Sequence, residues 1–184
     1  MMKKFYAYLV IFFVCGAASA QTENLSVNGL YLGMPESELT TKYNGFNCKG
    51  NEANRSCFYS YEITRENKNT YLGYFVNRWI VKLSNNQVGY AMMTITNNVH
   101  ERLLAAFKEK YGAPTTEKIE DIQNKMGAVF QNNVAQWVKD KERLTVRKYE
   151  GKLDTMSVVL VSEEFLESQH DSFKEQSKSD AGKI

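Results

Sequence analysis

Few side chains in this sequence are of a type and spacing that carry chemistry. Cys48 and Cys57 flank an eight-residue polar loop, KGNEANRS, whose glycine and charged residues suit the tip of a hairpin. In an oxidising compartment two thiols so placed form a disulfide. Closing a loop of about ten residues stabilises a fold by ~2.7 kcal/mol in the chain-entropy picture. The pair lacks the C-x-x-C spacing and the nearby histidines of a redox or metal centre, so no metal site is expected. The chain has two histidines, His100 and His170, and spacing brings no serine, cysteine or carboxylate to either. Both are expected as solvated surface groups. The sequence contains no G-x-S-x-G, H-E-x-x-H, phosphate-binding glycine loop or EF-hand acidic run. Glu101, Glu109, Glu117 and Glu120 are read as the polar face of a helix and its exit loop, not as acid/base pairs. No cofactor is expected.

The remaining chemistry is that of recognition. Trp79, Val81 and Leu83 alternate with Arg78, Ile80 and Lys82, the period of a strand with one buried face. Leu144 and Val146 alternate in the same way with Arg143, Thr145, Arg147 and Tyr149, and Phe58 lies opposite Tyr59. If the first set of each pair packs into a core, the second faces away. A face that mixes arginine, lysine and aromatic groups has the composition of an interface. Phe58, Arg78, Ile80, Lys82, Arg143, Arg147 and Tyr149 are therefore the expected partner-binding residues.

The compartment is read from the N-terminus. Lys3 and Lys4 precede an apolar run from Phe5 to Cys15, and Ala18-Ser19-Ala20 has the small residues of a cleavage site. Residues 1–20 are expected to be a secretory signal peptide, cut before Gln21. The run falls short of the roughly 20 residues of a spanning helix, and no later stretch reaches that length, so no transmembrane span is expected in the mature chain. Cys15 follows Val14, where lipidation calls for a small residue. The 23 basic and 21 acidic residues become equal in number once Lys3 and Lys4 leave. A neutral chain argues against a nucleic-acid partner, which calls for a basic stripe.

The elements that must hold these residues are legible in outline. Pro35, Glu36 and Glu38 suit the first turn of a short helix that buries Leu39 and Tyr43 and stops at Asn44-Gly45. From Cys57 to Thr96 the chain reads as an aromatic-rich meander. Tyr71 to Val76 is expected as a strand near the middle of the sheet, and Asn85-Asn86 as a turn. Asn98-Val99-His100-Glu101 has the form of a capping box, and Val99, Leu103, Leu104, Phe107 and Tyr111 make one helical stripe ending at Gly112. Residues 115–133 give no clear pattern beyond a turn at Gly127. A hairpin then folds around residues 139–142, and Thr155 to Ser162 is apolar on both faces. Beyond Leu166 the chain turns polar, and 167–184 is expected as a flexible tail.

The two helices end alike, Lys42-Tyr43-Asn44-Gly45 and Lys110-Tyr111-Gly112, and each precedes strands bearing a tryptophan, Trp79 and Trp137. This suggests an α-β-β-β unit used twice, over 29–96 and 97–162. The same ending is ordinary helix capping, so a single undivided domain over 21–166 accounts for it too. The stretch Gly29-Leu30-Tyr31-Leu32-Gly33-Met34-Pro35-Glu36-Ser37-Glu38-Leu39 resembles the opening of small exported bacterial proteins. These include the lipoproteins of outer-membrane assembly and proteins of the β-lactamase-inhibitor-like fold. Tyr111-Gly112-Ala113-Pro114 before a tryptophan-bearing hairpin resembles the same class. The resemblance implies short helices on an antiparallel sheet and a binding or scaffold role, and it carries no functional residue over.

The expected fold is thus α+β, an antiparallel sheet with two helices packed on one face. The expected function is that of an exported periplasmic, non-catalytic protein that contacts an envelope or periplasmic protein. The alternative is a small exported hydrolase-type enzyme with a site assembled from residues distant in sequence. Mass spectrometry of the exported protein without reductant should show Cys48 linked to Cys57 and a chain beginning at Gln21. Free thiols at both positions would remove the bond and the compartment argument together.

Overall fold

A computed structural model describes residues 24–51, 54–60 and 70–181. The expected signal peptide, the tip of the Cys48–Cys57 hairpin, the turn after Thr64 and the last three residues lie outside the described residues.

The fold is α+β. The chain opens with a small hairpin, β1 (Ser26–Val27) and β2 (Leu30–Tyr31), followed by helix α1 (Glu36–Lys42). The first meander comprises β3 (Asn47–Asn51), β4 (Asn54–Ser60), β7 (Arg78–Ser84) and β8 (Gln87–Thr96), interrupted by β5 (Thr70–Tyr71) and β6 (Tyr74–Phe75). A 3-10 turn (Asn97–Val99) leads into helix α2 (His100–Tyr111). The second meander is β9 (Thr116–Gln123), β10 (Val129–Lys139), β11 (Glu142–Arg147) and β12 (Thr155–Ser162), and helix α3 (Glu163–Ala181) follows. All pairs are antiparallel, and the eight-stranded sheet runs β3-β4-β7-β8-β12-β11-β10-β9. Each half is thus one helix and four strands, not three, and the halves meet through their last strands.

Tight turns fix the register. Asn85 and Asn86 both take positive φ, 51° and 58°, the twist that a two-residue hairpin turn between β7 and β8 requires. Cys48 and Cys57 face each other in the β3–β4 register and are bonded, with their Cα atoms 3.9 Å apart.

Alternation then sorts the side chains. Trp79, Val81 and Leu83 on β7 point to the same buried cluster as Leu144 and Val146 on β11. Leu39 of α1 and Leu103, Leu104 and Phe107 of α2 cover that cluster, so both helices lie on one face of the sheet. In the first half Trp79 packs edge-on to Tyr43 at 5.0 Å, with Phe46 and Tyr59 alongside. In the second, Trp137 packs on Phe107 at 5.8 Å and donates its indole N–H to the Gly112 carbonyl. The two tryptophans occupy non-equivalent strands, third in one meander and second in the other.

Several sequence expectations are corrected. Tyr71 to Val76 is not a central strand: Leu72 and Gly73 both take positive φ, 52° and 84°, and fold β5 on β6 as a separate hairpin. The Arg102 guanidinium of α2 holds that hairpin by a hydrogen bond to the Leu72 carbonyl and by lying over the Tyr74 ring. The expected capping box does not form. The helix is entered through the 3-10 turn, with Val99 and not Asn98 at its N-cap position and no side-chain cap, and the neighbouring Asn97 amide donates to the Leu153 carbonyl. Residues 116–123, with Glu117 and Glu120, are an edge strand and not a helix exit loop. Residues 167–181 are helical: the Phe165 N–H donates to the Ser162 hydroxyl at 3.1 Å, the geometry of an N-cap, and nucleates α3.

Trp79 is 2% exposed and Phe58 is 46% exposed on the opposite side of the sheet. In urea denaturation Trp79→Ala should lower stability by ~3–5 kcal/mol, whereas Phe58→Ala should change it by less than about 1 kcal/mol. Equal losses would mean that the outer face is packed as tightly as the core.

Candidate functional site

The face away from α1 and α2 is organised by register. Phe58, Ile80, Met92, Val159 and Thr145 stand opposite one another on β4, β7, β8, β12 and β11. This apolar strip crosses the middle of the sheet. Phe58 is exposed, Ile80, Met92 and Val159 are half-buried, and Thr145 is buried.

Two residues along in one direction the row is Arg78, Thr94, Ser157 and Arg147; in the other it is Lys82, Tyr90, Val161 and Arg143. Arg78 and Lys82 share β7, while Arg147 and Arg143 share β11. Three strand spacings separate the pairs, about 14 Å at ~4.8 Å each, and four residues along a strand give about the same length. Four cations therefore mark the corners of a square with the apolar strip through its centre. The meanders contribute two corners each.

The structure thus brings together six of the seven residues expected from sequence. Tyr149 is set apart: it lies beyond the end of β11 and packs edge-on against Phe130 of β10 at 6.3 Å, half-buried. The corners also differ from one another. Arg147 lies 3.6 Å from the Glu120 carboxylate, which Lys118 holds at 2.5 Å. The Lys82 ammonium sits 5.8 Å over the Tyr90 ring. Arg78 and Arg143 are exposed and carry no ion pair among the described residues. A cavity of about 620 Å³ opens beside Arg78, with Met92 and Thr94 on the sheet side and Glu150, Lys152 and Asp154 on the loop side. Glu150 is fixed there by a 3.0 Å hydrogen bond from the buried Ser157 hydroxyl.

Comparison of the chain with family models, curated proteins and solved structures finds no match. The site is therefore read from its own residues.

Met92, Val159 and the Glu150 loop escape a reading of the sequence. The alternation Tyr90-Met92-Thr94 on β8 was the available signal, masked because Ala91, Met93 and Ile95 on the other face are apolar too.

His100 corrects a second expectation. It is 1% exposed, not solvated, and sits at the start of α2 on the side of the sheet that the helices cover. Its Nδ1 lies 3.2 Å from the Glu101 carboxylate, and its Nε2 has no partner among the described residues. Burial holds its imidazole below the usual histidine range, although Glu101 and Glu117 work in the opposite direction. His170 is exposed on α3. His100 is thus on the side of the sheet away from the outer face. Among the described residues, no three His, Cys, Asp or Glu side chains are grouped as metal ligands would be.

A depressed histidine makes stability depend on pH in one direction. Above the unfolded value, 6.5, both states are neutral and stability is full. As pH falls below it the unfolded chain takes up a proton first, and up to about 1.4 kcal/mol is lost per pH unit until the folded state also protonates. Chemical denaturation at several pH values should show a fall below pH 6.5 that His100→Gln flattens. Parallel profiles for the two proteins would show that His100 charges freely in the folded state.

Proposed function

We propose that this protein is an exported, non-catalytic binding module that contacts a protein partner through the outer face of its sheet. The observation that carries the reading is the apolar strip from Phe58 to Val159, uncovered by either core helix and framed by Arg78, Lys82, Arg143 and Arg147. Arginine and aromatic side chains in such a setting carry much of the energy of protein interfaces. Apolar area supplies affinity, while the cations select an acidic rim on the partner and speed encounter.

The compartment follows from two supports. The Cys48–Cys57 bond belongs to an oxidising environment, and the first 20 residues have the composition of a signal peptide. No helix among the described residues is long and apolar enough to cross a membrane. The resemblance of the Gly29–Leu39 opening to small envelope proteins and inhibitor-like folds points to the same role. With acidic and basic residues balanced in the mature chain, an acidic protein surface is favoured over nucleic acid.

The reading is tested in living cells with a photo-crosslinking residue at Phe58 or Met92 and, as a control, at Glu109 on the solvent side of α2. The sheet positions should give one discrete adduct containing peptides of another envelope protein, and position 109 should give none. The same adducts from all three positions, or none from the sheet, would overturn it. Within the site, Arg78→Ala should weaken the adduct more than Arg147→Ala, because Glu120 already engages Arg147.

A further inference from the structure

The C-terminal helix presents a second exposed surface. Phe165 anchors α3 at the border of the outer face, stacked 6.0 Å from Tyr90. The contact is close enough that a Cβ at Gly89 would come within 2.6 Å of the Phe165 ring. From residue 171 to residue 181 every side chain is exposed. Leu166 and Phe173, seven residues apart, share one line of the helix with the uncharged Gln169 and Gln176, and Phe173 is 69% exposed. A single helix in water has no use for such a stripe.

We infer that this stripe occupies the outer sheet face of a second copy of the chain, reciprocally, when the face holds no other partner. The inference rests on the binding reading above and adds its regulation. Charge supports it. The helix carries Glu163, Glu164, Glu167, Asp171, Glu175 and Asp180 against only Lys174 and Lys178, while the sheet face is framed by four cations. Size supports it too: seven residues of helix span about 10 Å, within the roughly 14 Å from Phe58 to Val159.

The helix touches its own face only at its start, where Phe165 stacks on Tyr90 and Leu166 lies beside Arg143 and Val161, and residues 171–181 are exposed. It leaves β12 directly after Ser162, is fixed at Phe165, and would have to break beyond that anchor to turn back over the strip. An anionic membrane surface is disfavoured by the acidic excess of α3. In a pair of copies related by a two-fold axis, each face takes the helix of the other, so the contact is made twice.

Two variants at exposed positions test this with purified full-length protein and no partner present. Phe58→Asp disables the face and Phe173→Asp disables the helix. Analytical ultracentrifugation at about 50 µM, above the ~10 µM dissociation constant of a modest interface, should show a dimer for the wild type and monomers for each variant alone. Mixed, the two variants retain one intact helix-on-face contact and should form a weaker 1:1 dimer. Unchanged thermal midpoints would establish that both variants are folded. A wild type that is monomeric at this concentration, variants that remain dimeric, or a mixture that stays monomeric would each overturn the inference. The crosslinking result is independent: a partner adduct survives the loss of the dimer, and the dimer survives the absence of that adduct.

Discussion

The pairing of β8 with β12 is the constraint on which the rest of this structure depends. Each meander alone is a four-stranded sheet with an open edge at its last strand. Joined from Thr96↔Thr155 to Tyr90↔Val161, the two edges disappear into the centre of one sheet. The seam is buried on the side facing the helices by Ala91, Met93 and Ile95 against Met156, Val158 and Leu160. On the other side Met92 and Val159 meet across it and join the apolar strip into one line. The corner cations come from both meanders, so the candidate site exists only where the seam is formed. Side chains alternate along a strand, and a one-residue slip would turn each of these strands inside out.

A second set of contacts ties the halves from the helix side. The N-terminal segment lies between them, with Leu25, Val27 and Leu30 buried. The Tyr43 hydroxyl at the end of α1 donates to the Asn28 carbonyl at 2.6 Å, and the Ser26 N–H donates to the Tyr111 hydroxyl at the end of α2 at 2.9 Å. The Leu25 N–H donates to the Glu142 carboxylate on β11. The tyrosine that ends each helix therefore has a role beyond capping: each grips the same short strand pair from its own half. Burial raises the proton affinity of the Tyr43 phenol, so its hydroxyl stays a neutral donor to the Asn28 carbonyl. This arrangement leaves the helix-covered face closed, and the opposite face is the one that neither core helix covers.

What was legible in the sequence was local. The phase of β4, β7 and β11 followed from alternation around Tyr59, Trp79 and Leu144, and it placed six cationic or apolar residues on the face away from the core without knowledge of strand order. The disulfide followed from count and spacing. What was not legible depended on which elements meet. The pattern TEKIEDIQ of β9 has charges on both faces because an edge strand is solvated on both, so alternation carries no signal there. Tyr71 to Val76 has the composition of a central strand, yet two consecutive positive φ values fold it on itself, and Arg102, thirty residues away, supplies the contact that holds it. His100 reads as a surface residue because a helix start is usually exposed; its burial comes from packing that no spacing rule contains. Met92 and Val159 lie in strands that are apolar on both sides, where the sequence does not say which apolar residues are core.

Charge is the last thread. A chain with balanced charge need not be evenly charged, and this one separates its signs by architecture. Alternation on β7 and β11 lifts four cations out of the core onto one face, because a core position would force them to lose hydration without a partner. The acidic excess is displaced to α3, where the residues that follow β12 are too polar to be buried and instead form a capped helix in solvent. The two regions adjoin on one molecule: Phe165 packs against Gly89 and stacks on Tyr90 at the border of the face, and residues 171–181 beyond it are exposed. The same geometry that leaves the middle of the sheet face open leaves the helix from residue 171 onward in solvent.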